Sequence, residues 1–173
     1  CLRVMPILLY ALAELGLSLG ADVPIFVRGF AAFAQGIGEN LTPITPPQPW
    51  YLVIWPGVSV STQEIFNLPQ LPRNTPKITL AQLTTTELKN DCQEVTKNRY
   101  PEVAKALDWL IQYAPAKMTG TGSCVFGEFS SRADAIVALE KLPKDMQGFV
   151  AKGVNISPLA TTLANANFIN AKT

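Results

Sequence analysis

The sequence contains no histidine, which removes imidazole general bases, Ser-His or Cys-His nucleophile pairs built from this chain, and histidine metal sites. Acid-base chemistry must then rest on carboxylates or lysines. Cysteine is scarce. Cys1, Cys92 and Cys124 are odd in number and far apart, which suits reduced thiols in the cytoplasm better than a disulfide frame or a CxxC knuckle, and no metal site is expected. An excess of either charge is lacking too: 14 basic and 13 acidic residues leave a net charge of +1, with no run of like charges. Neither nucleic acid nor a membrane surface is therefore an expected partner. No apolar run approaches the roughly 20 residues of a membrane span. The apolar opening Cys1 to Tyr10 is closed off by Glu14 and carries no signal-peptide cleavage pattern.

What is present suffices for one sizeable core or two small ones: 173 residues, 48% of them hydrophobic. The chain begins with Cys and at once with core-like residues, so it reads as a piece of a larger protein. From Pro6 to Leu19 the residues Ile7, Leu8, Ala11, Leu12, Leu15 and Leu19 recur at helical spacing, with Gly16 and Gly20 where a helix frays or stops. Ala31 to Gln35 and Ile37 to Ile44 read as the strands of a hairpin about Gly36. Pro43 to Pro49 holds four prolines in seven residues, a stiff connector and the expected domain boundary.

Beyond it, Trp50 to Trp55 is a continuous apolar run closed by Pro56-Gly57, as for a strand buried on both faces. Ser61 or Thr62 can cap a short helix, and Asn90 can cap one from Asp91 to Tyr113 that Pro101 must interrupt. Cys124 to Phe129 reads as a strand, Ser131 to Leu142 as a helix and Gly148 to Val154 as a last strand. The order after residue 50 is an α+β pattern. The small, polar tail from Thr161 to Thr173 is expected to fray.

Three places could carry chemistry. Asp22 stands between a glycine turn and Pro24 with apolar neighbours, so the expectation is a rigid, poorly hydrated carboxylate. A cap on a helix starting at Val23 explains the same residue equally well. The turn Thr119-Gly120-Thr121-Gly122-Ser123 leads into a strand and could present backbone amides to an anion. It is neither a dinucleotide fingerprint, since Val125 replaces the third glycine, nor a P-loop, and a plain tight turn is the commoner explanation. Phe66 is either core filler or a platform on which a base stacks. Arg73 and Lys77, in a proline-bounded loop, are expected to be solvated.

Five segments taken together resemble a known family: Leu19 to Gly29 (LGADVPIFVRG), Trp55-Pro56-Gly57, Leu71 to Thr75 (LPRNT), Asn90-Asp91-Cys92 and Thr119 to Phe126 (TGTGSCVF). In that order they look like the 4-diphosphocytidyl-2-C-methyl-D-erythritol kinases of the GHMP superfamily, over about Ala13 to Pro158. The resemblance implies a GHMP kinase fold: residues 1–46 as the end of the amino-terminal domain, 47–158 as a ferredoxin-like carboxy-terminal domain, and 159–173 as a tail. It implies transfer of the γ-phosphoryl group of ATP, with Mg²⁺, to the 2-hydroxyl of 4-diphosphocytidyl-2-C-methyl-D-erythritol in non-mevalonate isoprenoid synthesis. By the same match Asp22 is the catalytic base, Phe66 stacks on the cytosine with Thr62 and Ile37 near that ligand, and Gly120, Thr121, Gly122 and Ser123 lie beside the phosphates.

Two departures accompany the match. The family's lysine and its glycine-serine-rich ATP loop, which precede the Asp22 segment, are not in this sequence, and Cys1 to Tyr10 do not resemble what stands there. The missing amino-terminal part is thus an expected partner, and the chain alone is expected to be inactive. The rival reading is a non-catalytic α+β module that binds a ligand or partner through its sheet and gives Asp22 no role.

Overall fold

The computed structural model describes residues 4–83 and 85–162, with side chains from residue 9 onward. The expectations for Cys1 to Leu8 as side chains and for residues 163–173 of the tail lie outside the described residues. Two compact units emerge, one of residues 1–48 with 154–173 and one of Pro49–Gly153. Residues 154–158, which the resemblance grouped with the later domain, run back along the first unit: Ala31 N–H donates to Asn155 O at 2.8 Å and Ser157 N–H to Gly29 O at 2.8 Å. Phe30 bridges Ile156, and residues 158–162 are helical.

In the first unit α1 (Val4–Leu17) packs on α2 (Val23–Arg28). Gly16 permits the approach, since a Cβ there would lie 2.6 Å from Val23 Cγ1. Arg28, in the last turn of α2, lies over the Tyr10 ring at 3.6 Å, an attractive cation–π geometry. The hairpin is β1 (Ala32–Gln35) with β2 (Asn40–Pro43), in antiparallel register Phe33↔Thr42. Ile37 lies in the turn, not in a strand as the apolar pattern suggested. Gly36 and Gly38, at φ 75° and 121°, cannot continue an extended strand, so pairing resumes only at Asn40.

The second unit is an antiparallel sheet with helices on one face. Its strands are β3 (Trp50–Trp55), β4 (Ala116–Met118), β5 (Val125–Phe129) and β6 (Gln147–Lys152), in spatial order β4-β5-β3-β6. Between β3 and β4 come α3 (Thr62–Asn67), α4 (Asp91–Arg99) and α5 (Pro101–Leu110), and α6 (Arg132–Glu140) joins β5 to β6. The succession of strand, helices, two strands, helix and strand, with that order, is ferredoxin-like. Pro101 restarts the helix as anticipated. Tyr100 before it is extended at φ −124°, ψ 93°, and the ring occupies the first helical position, where no intrahelical N–H is needed.

Leu52, Ile54, Val125 and Phe129 from the sheet meet Val103, Ala106, Leu107 and Leu110 of α5 and Ala135 and Ala138 of α6. A satellite cluster of Ile65, Leu71 and Val95 holds α3 to α4. Only one face of β3 is buried, against the expectation of two. Leu52 and Ile54 are at 0% exposure while Trp55 on the opposite face is at 39%. An antiparallel sheet with helices on a single face leaves the alternate residues half covered, here partly by the Tyr51–Phe126 edge contact with ring centroids 5.8 Å apart. Cys92 and Cys124 are free thiols. Among the described residues no helix is long and apolar enough to cross a membrane.

Candidate functional site

Asp22 occupies the N-cap position of α2 but makes no capping hydrogen bond, and Pro24 in the first turn already removes one backbone donor. It is also exposed, which corrects the expectation of a poorly hydrated carboxylate. Of its apolar neighbours Pro24 is buried, while Leu19 and Phe26 are themselves 81% and 78% exposed and give Asp22 no cover. A carboxylate without a structural partner is available to a ligand. The hairpin turn carrying Ile37 approaches the same place, since a Cβ on Gly38 would lie 2.8 Å from Ala21 O. Ile37 itself is 71% exposed.

In the second unit the turn Thr119–Ser123 connects β4 to β5. It is closed by Thr119 N–H donating to Cys124 O and Gly122 N–H to Thr119 O, both at 3.0 Å. Gly120 and Gly122 are left-handed, at φ 55° and 97°. A Cβ on Gly122 would meet Met118 Sδ at 3.0 Å and Thr96 Cγ2 at 3.2 Å, whereas one on Gly120 would meet nothing within 4 Å. One glycine thus permits packing inward, and the other leaves clear space at an exposed position. The buried Ser123 hydroxyl donates to Val58 O and fixes the far end of the turn.

Helix α3 is pinned at its start, middle and end. Ser61 is its cap, accepting from Glu64 N–H at 3.2 Å, which leaves the Thr62 hydroxyl free to share a hydrogen bond with the Thr121 hydroxyl at 3.0 Å. Arg73, expected to be solvated, donates to Phe66 O at 2.6 Å. The Glu64 carboxylate accepts from Tyr100 Oη at 2.8 Å and Arg99 Nε at 2.9 Å. Phe66 itself is 51% exposed, so it is not core filler.

The Tyr100 hydroxyl first, and then the Arg99 guanidinium, hold the Glu64 carboxyl below the ordinary glutamate range. A lowered folded-state value stabilises the fold above the unfolded pKa of about 4.3, and that contribution is lost as pH falls through the folded-state value. The melting temperature of this chain should therefore exceed that of Glu64→Gln near neutrality, and the gap should close as the solution is acidified below the ordinary glutamate range. A gap unchanged down to strongly acidic pH would contradict this.

Three residues of α4 and its cap grip the glycine turn, and two of them, Gln93 and Thr96, went unnoticed in the sequence. Asn90 was recognised as a helix cap, and its Oδ1 does accept from Cys92 N–H at 3.0 Å. Its Nδ2 also donates to Met118 O at 2.9 Å and Gly120 O at 2.7 Å. Gln93 Oε1 accepts from Met118 N–H at 2.9 Å, and the fully buried Thr96 hydroxyl donates to Thr121 O at 3.1 Å. The available signal was a polar cap at Asn90 followed by polar residues at 93 and 96, which are three apart on α4 and therefore neighbours.

Sheet order, helix placement and a glycine turn before β5 define a class. The GHMP kinases C terminal family matches residues 76–148, and the second unit is a domain of that family. Over 152 residues, 88% of its length, the chain is 61% identical to the 4-diphosphocytidyl-2-C-methyl-D-erythritol kinase of Shewanella sp. strain W3-18-1, and equally to that of Shewanella oneidensis. A crystal structure of 4-(cytidine 5'-diphospho)-2C-methyl-D-erythritol kinase superposes with a TM-score of 0.69 at 26% identity, covering 83% of this chain and 57% of that one. Over most of its length the chain is thus similar to these kinases, and its second unit carries the GHMP carboxy-terminal domain. It spans 54% of the length of the Shewanella relatives.

Proposed function

We infer that this chain is the acceptor-side part of a kinase that transfers the γ-phosphoryl group of ATP to the 2-hydroxyl of 4-diphosphocytidyl-2-C-methyl-D-erythritol. The observation that carries this reading is the Thr62–Thr121 hydrogen bond of 3.0 Å. It joins the helix that displays Phe66 to the glycine turn, so an aromatic platform for a base and a turn suited to an anion form one rigid element. A nucleoside diphosphate ester presents those two chemical features together.

In this reading Phe66 stacks on the cytosine, Thr62 and Ile37 neighbour the acceptor, and Gly120 to Ser123 neighbour the phosphates. Asp22 accepts the proton of the 2-hydroxyl as its oxygen attacks and orients that oxygen, since phosphoryl transfer relies on positioning and charge more than on covalent help from the protein. Bound ATP would supply the phosphoryl group, with Mg²⁺ carried largely on its phosphates. A magnesium ion so held keeps several waters and needs only one or two carboxylates, with no dedicated protein cage. At Gly120 a side-chain Cβ would meet nothing within 4 Å, which leaves the backbone there open to approach by a phosphate group.

The remaining length of the relatives is the natural partner. Apolar side chains on and after α1 support this, with Leu12, Leu15 and Leu19 exposed by 43%, 65% and 81%. The nucleotide-binding parts would come from that remaining length, and this chain alone would not turn over.

Phe66→Ala tests the reading in a full-length kinase that carries this sequence. Stacking on a base remote from the reacting atoms binds ground and transition states alike, so KM for the cytidylyl substrate should rise more than kcat falls. Base stacking is worth about 1–3 kcal/mol by alanine substitution, hence a rise of roughly 5- to 150-fold. A loss confined to kcat would remove Phe66 from the binding site.

A further inference from the structure

The geometry points to Asn90, the cap of α4, together with Gln93 and Thr96 on α4 as the positioning device of the glycine turn, an inference that rests on the kinase reading for its functional consequence. A peptide segment that meets a phosphate must turn its carbonyl oxygens away, because an anion is repelled by them and held by N–H groups. Four consecutive carbonyls are engaged within the protein here. Met118 O and Gly120 O accept from Asn90 Nδ2, Thr119 O from Gly122 N–H, and Thr121 O from Thr96 Oγ1. Gln93 holds the Met118 N–H, which fixes where β4 ends and the turn begins.

The choice of residue types fits the task. A threonine within a helix commonly returns its hydroxyl to the carbonyl four residues back, and a buried hydroxyl without a partner is costly. Thr96, at 0% exposure, gives its hydroxyl to the turn. Asn90 does two jobs with two atoms, its oxygen capping α4 and its amide nitrogen clamping the turn. Serine or aspartate would cap equally well but bring no second donor directed at two carbonyls. Thr121, the residue held by Thr96, is also the one bonded to Thr62, so the clamp continues from α4 through the turn to the helix that bears Phe66.

Asn90→Asp separates the two jobs, since the cap acceptor is kept while the donor becomes a carboxylate oxygen facing two carbonyls. In this chain, hydrogen exchange of the Thr119 and Gly122 amides should accelerate about tenfold or more while the amides of α4 keep their protection. Thr96→Val, which removes one hydroxyl at nearly constant volume, should act in the same direction and serves if Asn90→Asp does not fold. Turn exchange within about threefold of the unmodified chain in both variants, or equal acceleration in turn and helix, overturns the inference.

In a full-length kinase carrying the sequence, Asn90→Asp should raise KM for the cytidylyl substrate, whose diphosphate the turn would face, about tenfold or more and leave KM for ATP within about threefold. Faster turn exchange with an unchanged KM for the cytidylyl substrate would reduce the clamp to a structural role and overturn the positioning claim. If the unmodified kinase transfers no phosphate, the kinase reading fails, and the exchange measurements still decide whether the clamp exists.

Discussion

Replacing Asp22 with asparagine in a full-length kinase carrying this sequence is expected to lower kcat by about 10²–10⁴-fold, the range that general-base assistance supplies, with the melting temperature unchanged. Asparagine keeps the size of aspartate and one acceptor oxygen, and it caps helices about as well, so a purely structural Asp22 would survive the change. The structure gives a second reason to expect no loss of stability. Asp22 makes no capping hydrogen bond and is exposed, so the substitution strands no buried partner and no buried charge. What asparagine cannot do is accept a proton at neutral pH. A lowered melting temperature with activity per folded molecule within about threefold of the original would make Asp22 structural.

The parts of the fold that were legible in the sequence are those that local chemistry dictates. Pro101 had to break the long helix because it lacks an N–H, and it does so between Arg99 and Pro101. Asn90, and Ser61 as one of two candidates beside Thr62, were readable as caps because their side chains reach amides two or three residues away. Trp50 to Trp55 was readable as a strand, but how many of its faces are covered depends on helices that lie more than 40 residues on in the chain. Strand β4, at three residues, is too short to show a period of two.

The site divides along the same line. Asp22, Phe66 and the turn from Gly120 to Ser123 stood out by residue type and family pattern, although the apolar neighbours of Asp22 suggested a burial that the fold does not impose. Gln93 and Thr96 did not stand out, because their partners lie 25 residues away and nothing near them in sequence announces the pairing. The Thr62–Thr121 bond spans 59 residues, and the link between base platform and phosphate turn emerges only in the folded chain.

Alone, the 173-residue chain is expected to show no kinase turnover even when folded. Phosphoryl transfer is accelerated by holding donor and acceptor in line and by cations that offset charge, and effective molarities of roughly 10⁵–10⁸ M are lost when one reactant is not held. This chain offers an exposed carboxylate, an aromatic platform and a glycine turn, but not the lysine and ATP loop of the family pattern. The most direct test is to incubate 4-diphosphocytidyl-2-C-methyl-D-erythritol, ATP and Mg²⁺ with the chain and, separately, with a full-length kinase carrying it, following the new phosphomonoester by ³¹P NMR. The expected result is a 2-phosphate formed by the full-length protein at rates of about 1–100 s⁻¹ and none above background from the chain. Turnover by the chain at such rates, or a full-length protein that leaves the 2-hydroxyl untouched, would contradict it.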